Sequence, residues 1–176
     1  MSKFTVRRYE DPILRGRALP IEEITPEIEK LGNDLIETMR LYRGVGLAAV
    51  QVGILLRIFV IQDEKINSSG EWVVCEPEII INPTLSNPSQ EKELMQEGCI
   101  SLPGLYVDVL RPKTINVRYQ NVKGEWIEEH LSGFRARVMM HENDHLNGVL
   151  TIDRLDKAAR KKVESQLQAI NKKYHH

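Results

Sequence analysis

Six short stretches rich in β-branched and aromatic residues occupy the middle of the chain, and they constrain its fold more than any other feature. Glycine, proline, asparagine and serine separate them, which is typical of turns between strands. We therefore predict antiparallel sheet for this part of the chain. The stretches are residues 55–61, 72–75, 79–81, 106–109, 115–119 and 126–130.

On both sides of the predicted sheet, apolar residues recur at helical spacing and predict helices. Residues 25–42 predict an N-terminal helix that is capped by Thr25 and ended by Gly44. Residues 132–145 are too apolar for a surface helix, so they predict a buried central helix. A charged C-terminal helix follows, and its apolar stripe is Leu155, Ala159, Val163, Leu167 and Ile170. The predicted class is α+β, with antiparallel sheets packed around the central helix and further helices at both ends.

Length and charge limit the classes of function. A chain of 176 residues fits one domain, residues 1–176. Its 24 Lys plus Arg nearly balance its 25 Asp plus Glu, so no strong positive field favours direct recognition of nucleic acid. The start lacks a signal peptide and no long apolar run suggests a membrane span, so we expect a cytoplasmic protein. A disulfide between the two cysteines, Cys75 and Cys99, is not expected in that compartment.

The central helix carries a metal-binding pattern, His141-Glu142-x-x-His145. Two histidines four residues apart project from one face of a helix and can reach the same ion, with Glu142 close to its open side. A catalytic zinc site typically has three protein ligands and one exchangeable water. No further histidine follows before residue 175. Cys99, preceded by Gly98, is the better candidate for the third ligand because a thiol beside a cation loses its proton.

Three separated motifs resemble those of the peptide deformylase family. Residues 44–51 are similar to its Gly-x-Gly-Leu-Ala-Ala-x-Gln motif, residues 97–101 to its Glu-Gly-Cys-Leu-Ser motif, and the histidine helix is the third. The resemblance extends from residues 11–15 to residues 153–154 and so covers most of the chain. Two positions depart from the family: Val50 stands where proline is frequent, and Ile100 replaces the usual leucine.

The resemblance implies one peptide-deformylase-like catalytic domain that removes the formyl group from the N-terminal formyl-methionine of new polypeptides and releases formate. It implies that Cys99, His141 and His145 bind one divalent metal ion. Ferrous iron is expected in the cell, and Zn²⁺, Ni²⁺ or Co²⁺ would also suit these ligands. Glu142 is expected to move a proton from the attacking water to the departing amine.

The family also implies how the substrate is held. The side chain of Gln51 and the backbone N–H of Ile100 are expected to stabilise the oxyanion. Glu97 is expected to pair with Arg111 and so to hold the Cys99 loop. Arg137 is expected to lend its aliphatic stem to the rim of a methionine pocket. The substrate-binding candidates are Gly44, Val45, Gly46, Leu47, Glu97, Gly98, Phe134, Arg137 and Val138.

Two other functions share parts of this pattern. A zinc endopeptidase would have the histidine helix, but it would not need Cys99 or the motif at residues 44–51. A relative without catalytic activity would bind metal or a peptide terminus without turnover, and the presence of Glu142 and Gln51 argues against it. The expected partners are formyl-methionyl nascent peptides and, weakly, the ribosome through the basic C-terminal helix. His175-His176 is either native or the remnant of a tag.

Overall fold

The computed structural model describes residues 4–174, so His175-His176 lies outside the described residues. None of the helices in this range is long and apolar enough to cross a membrane. The α-helices are α1 (Pro26–Leu41), α2 (Gly133–Leu146), α3 (Lys157–Lys162) and α4 (Glu164–Tyr174). The strands are β1 (Gly46–Ala48), β2 (Ile58–Ile61), β3 (Glu64–Ile66), β4 (Trp72–Val74), β5 (Glu78–Ser86), β6 (Lys92–Cys99), β7 (Leu102–Pro112), β8 (Thr114–Gln120) and β9 (Trp126–Ser132).

Five strands form the main sheet in the order β1-β2-β5-β8-β9, with antiparallel pairing throughout. Strand β1 therefore lies at one edge, where it pairs only with β2 through the register Gly46 to Ile61. Two separate antiparallel hairpins, β3-β4 and β6-β7, complete the strands of the described range. This combination of antiparallel sheets and helices confirms the predicted α+β class.

Alternation along β2 explains why two helices cover the main sheet. Phe59 packs in the cluster that contains Met139 and Leu146 of α2. Ile58 packs in the cluster that contains Leu35 and Met39 of α1. A strand buried on both faces shows a continuous apolar run rather than an alternating one, as residues 58–61 do. Helix α2 is thereby held against the sheet, and it contains both histidines of the metal-binding pattern.

The helix ends differ from their predicted positions. Helix α1 ends at Leu41, and the residue with left-handed backbone is Arg43 (φ 54°) rather than Gly44. Thr25 occupies the N-cap position but forms no capping hydrogen bond through its side chain. The single C-terminal helix that we predicted is divided into two helices at Val163, which has φ −99° and ψ 0°.

Several strands were missed because their sequences lack a strand-like pattern. Half of the residues in strand β6 are polar, and five of its eight residues are exposed in succession before the buried Glu97. Strand β1 has only three residues and contains a glycine. The predicted strand at 106–109 is the centre of the longer β7, which pairs with every residue of β6 but leaves residues 103–105 out of the register.

Candidate metal centre and active-site cleft

Three potential metal ligands face one another between α2 and the end of β6. The Nε2 atoms of His141 and His145 lie 3.3 Å apart, and Sγ of Cys99 lies 3.4 Å from Nε2 of His145. All three ligand atoms lie within 4.8 Å of one another. Residues separated by about 45 positions in the sequence thus form a cluster of the kind that binds a transition-metal ion.

The β6-β7 hairpin brings Cys99 to this point. Cys99 is the last residue of β6, and the strand register shifts between Gly98 and Cys99. A Cβ atom on Gly98 would lie 2.7 Å from the ring of Tyr106 on β7, so a larger residue would require that exposed ring to move. The glycine therefore leaves room for the Tyr106 ring over the strand that ends at Cys99.

A buried carboxylate orients His141, one of the two histidines in the ligand cluster. Glu97 accepts hydrogen bonds from Nε of Arg111 at 2.6 Å, from Nη1 of Arg137 at 2.6 Å and from Nδ1 of His141 at 2.9 Å. Burial alone would raise the pKa of Glu97, but the hydrogen bonds from His141 and Arg111 lower it to about 2. Since Nδ1 of His141 donates to a carboxylate, its Nε2 is the atom available to a metal.

The surroundings favour positive charge at this position. Burial lowers the pKa of His141, but its contacts with Cys99, Glu97 and Glu142 raise that pKa well above the usual range. The negative charge of Glu97, which favours the charged form of His141, would also favour a divalent cation. One thiolate and two imidazoles are suitable donors for such an ion, so the residues present fit a metal.

Glu142 lies beside the ligand cluster without joining it. Its carboxyl is buried, Oε1 lies 3.9 Å from Nε2 of His141, and Oε2 has no hydrogen-bond partner within residues 4–174. Burial raises the pKa of Glu142 to about 7. A Cβ atom on Gly46 would lie 2.4 Å from Oε1. Gly46 therefore leaves the space in which this carboxyl faces the cluster.

Gln51 and the Cys99–Ser101 turn meet next to the thiol. The Gln51 side chain is buried, and its Oε1 accepts the backbone N–H of Ala48 at 2.9 Å. Its Nε2 donates to Oγ of Ser101 at 3.1 Å and lies 3.6 Å from Sγ of Cys99. The acceptor contact fixes which end of the amide faces the cluster, so the donor N–H groups point toward it.

A cleft of about 440 Å³ opens onto this cluster. Its walls include most of the side chains that we predicted for substrate binding, among them the exposed Val45 and Phe134 and the buried Val138. The side chain of Leu47 is an exception, because alternation along β1 turns it into the α1 core and away from the cleft. Arg137 also lines the cleft, and its guanidinium is buried against Glu97.

Several residues that line the cleft were not predicted from the sequence. These residues come from the N-terminal segment, the end of α1 and the β6-β7 hairpin, and no local pattern connects the three. Tyr106 carried a signal, because an aromatic residue that faces outward on an alternating strand needs a reason for its exposure. The missed residues that line the cleft are Arg8, Tyr42, Arg43, Gln96, Leu102, Pro103, Gly104, Leu105 and Tyr106.

Comparisons with known proteins show which family this chain is similar to. A family model described as polypeptide deformylase matches residues 3–161. The peptide deformylase of Thermotoga neapolitana is 44% identical over 169 residues, which cover 96% of this chain and 97% of that protein. The corresponding protein of Thermotoga petrophila is 45% identical over 167 residues, with coverages of 95% and 96%.

Solved structures extend the agreement to the fold. The crystal structure of peptide deformylase from Thermotoga maritima aligns with a TM-score of 0.78 and 44% identity, covering 87% of this chain and 97% of that one. The structure of peptide deformylase from Ehrlichia chaffeensis in complex with actinonin aligns over 100% of both chains with a TM-score of 0.87 and 35% identity. Sequence, fold and family model thus agree over nearly the whole length, and the chain belongs to the peptide deformylase family.

Proposed function

We propose that this chain, as one catalytic domain spanning residues 1–176, removes the formyl group from the N-terminal formyl-methionine of new polypeptides and releases formate. The observation that carries the proposal is the meeting of three kinds of group at the cleft. They are a cluster of three metal-ligand atoms, a buried carboxyl with a pKa of about 7, and an amide donor beside the thiol.

Cys99, His141 and His145 would hold one divalent ion, which we propose to be Fe²⁺ in the cell, with Zn²⁺, Ni²⁺ or Co²⁺ able to replace it. When bound, the ion supplies Lewis acidity that lowers the pKa of a water molecule toward neutrality. Glu97 supports this arrangement by accepting Nδ1–H of His141, which fixes the orientation of that imidazole.

Glu142 is the proposed proton shuttle. Its carboxyl takes a proton from the attacking water and delivers it to the nitrogen of the breaking amide bond, because an amine leaves poorly as an anion. A pKa of about 7 suits both steps, since the group accepts and releases a proton with little free-energy cost near neutral pH. The unpartnered Oε2 atom leaves the carboxyl free for this exchange.

The proposed oxyanion donors are Nε2–H of Gln51 and the backbone N–H of Ile100. As the planar formyl carbon becomes tetrahedral, negative charge collects on its oxygen, and fixed donors stabilise that charge. Gln51 is held by Ala48 at one end of its amide and by Ser101 at the other. The donor therefore needs little reorganisation during the reaction.

The cleft and the edge of the main sheet would bind the substrate. Val45, Phe134 and Val138 supply an apolar wall of the size that a methionine side chain requires. Strand β1 is an edge strand, so the peptide backbone can pair with it without any requirement for a particular sequence. Such pairing suits an enzyme whose substrates share only their first residue.

The proposal is tested by measuring formate released from formyl-Met-Ala-Ser by the metal-loaded protein. Acetyl-Met-Ala-Ser and an internal-amide peptide serve as comparison substrates, with release of a free amine as their readout, because a zinc endopeptidase would cleave the internal bond. Glu142→Gln keeps the shape of the side chain but removes the titratable group. We expect rapid release from the formyl peptide alone and a loss of about 10²–10⁴-fold in the variant. Equal rates in both proteins would contradict the proposal.

We further propose a cytoplasmic location and weak contact with the ribosome through α3 and α4. This contact would be electrostatic, so cosedimentation with ribosomes should weaken as salt rises. Absence of cosedimentation at low and high salt alike would contradict it. The basic residues concerned are Arg154, Lys157, Arg160, Lys161, Lys162, Lys172 and Lys173.

A further inference from the structure

The backbone of residues 7–9 runs alongside both proposed oxyanion donors. The N–H of Arg7 donates to the carbonyl oxygen of Gln51 at 2.7 Å, and the N–H of Tyr9 donates to the carbonyl oxygen of Ser101 at 3.0 Å. Gln51 follows β1, whereas Ser101 lies in the turn between β6 and β7, 50 positions further along the sequence. One short segment near the start of the chain thus bridges the two parts of the site.

The side chain of Arg8 makes a third contact of the same kind. Its Nη1 donates to the carbonyl oxygen of Ile100, the residue whose N–H is the second proposed donor. Arg8 is half-buried and lines the cleft. A hydrogen bond from a guanidinium is charge-assisted and stronger than one between neutral groups. The carbonyl and the N–H of Ile100 belong to adjacent planar peptide groups that are joined at its Cα, so anchoring the carbonyl restricts the movement of the turn that presents the N–H.

Two aromatic rings hold the guanidinium in place. Cζ of Arg8 lies 5.1 Å from the ring centroid of Tyr42 and 5.1 Å from that of Tyr174. Cation–π contacts of this length are attractive, and two of them on one guanidinium leave it few other orientations. Tyr42 follows the last residue of α1, and Tyr174 is the last residue of α4.

We infer that Arg8 is a positioning residue, which the rings of Tyr42 and Tyr174 hold against Ile100 so that the backbone N–H of Ile100 points at the oxyanion. This inference rests on the proposed function. It gives α4 a role in catalysis, because Tyr174 at the end of this helix contacts Arg8, and Arg8 contacts Ile100. If Arg8 instead bound the substrate, it would stabilise the enzyme–substrate complex before the reaction begins.

Steady-state kinetics distinguish the two roles. An interaction that acts only in the transition state lowers kcat and leaves KM unchanged, whereas one that holds the substrate raises KM. Arg8→Met removes the donor and keeps an apolar stem. Because the oxyanion donor is displaced rather than removed, we expect kcat for formyl-Met-Ala-Ser to fall about 10- to 100-fold. We expect KM to stay within about twofold and the metal content to stay at that of the wild type.

Conservative variants and a matched control complete the test. Arg8→Lys keeps the charge and one donor, so it should restore part of kcat. Arg118→Met removes an arginine that also stacks on an aromatic ring, Trp126 at 3.8 Å, but does not line the cleft, so its kinetics should equal those of the wild type. Tyr174→Leu should lower kcat in the same direction as Arg8→Met, whereas Tyr174→Phe, which keeps the ring, should not.

The inference is overturned if Arg8→Met has the kcat of Arg118→Met, or if its defect lies in KM alone. Thermal unfolding of each variant guards against a general loss of structure. If Arg8→Met unfolds, Tyr174→Leu compared with Tyr174→Phe gives the answer by itself, and equal kcat in those two variants would overturn the inference. Failure of the wild type to release formate would instead contradict the proposed function, so the two failures are distinguishable.

Discussion

Replacement of Glu142 by glutamine should stabilise the metal-free protein at neutral and alkaline pH while it abolishes catalysis. Burial raises the pKa of Glu142 from its ordinary value of 4.5 to about 7. The folded protein therefore holds this proton more tightly than the unfolded chain does, and stability falls as pH rises from about 4.5 to 7. At 1.36 kcal/mol for each pKa unit, the penalty above pH 7 is about 3 kcal/mol.

Denaturant unfolding of metal-free wild type and Glu142→Gln at pH 5 and pH 8 measures this penalty. The variant should gain about 2–3 kcal/mol relative to the wild type between the two pH values. Any constant cost of burying an amide at this position cancels, because that cost is the same at both. Glu128→Gln alters an exposed carboxylate and should show no such gain. A Glu142→Gln difference that is equal at pH 5 and pH 8 would refute the reasoning.

Three further substitutions test other parts of the site. Gly46→Ala should displace the Glu142 carboxyl, because its Cβ would lie 2.4 Å from Oε1, and formate release should fall by about 10- to 100-fold. Arg111→Ala leaves the buried Glu97 carboxylate without its bidentate partner and should cost about 3–5 kcal/mol in denaturant unfolding, with reduced metal content by elemental analysis. Unchanged metal content would count against that link. Gln51→Leu should lower kcat by about 10²–10³-fold in steady-state assays, and a change confined to KM would argue that the amide binds substrate instead.

Patterns among residues close together in the sequence were enough to predict some elements and one part of the site. The continuous apolar run of β2 is unambiguous, because burial on both faces leaves little freedom in composition. In α2 the apolar residues Val138, Met139 and Leu146 indicated burial, although the helix also buries Arg137 and Glu142. The spacing of His141 and His145 predicted that both imidazoles face one ion, and their Nε2 atoms do lie 3.3 Å apart. These features depend on residues close together in the sequence.

Features that depend on distant pairing could not be predicted in this way. Strand β6 is stabilised by its partner β7 and not by its own composition. The position of the Arg137 guanidinium follows from a carboxylate 40 residues away. Arg8 reaches Ile100 across 92 residues, and no local pattern indicates that contact. Residues 97–101 were identified by their resemblance to a family motif, although no periodic pattern indicated that a strand ends there.

The shortness of strand β1 has a consequence for how the protein behaves in concentrated solution. An unpaired strand edge is a template on which other chains can pair and aggregate, and longer edges carry the greater risk. With three residues, β1 offers few backbone groups to a second folded molecule, yet enough for the first residues of an extended peptide. The same edge can therefore remain open to every newly made chain without joining the proteins to one another.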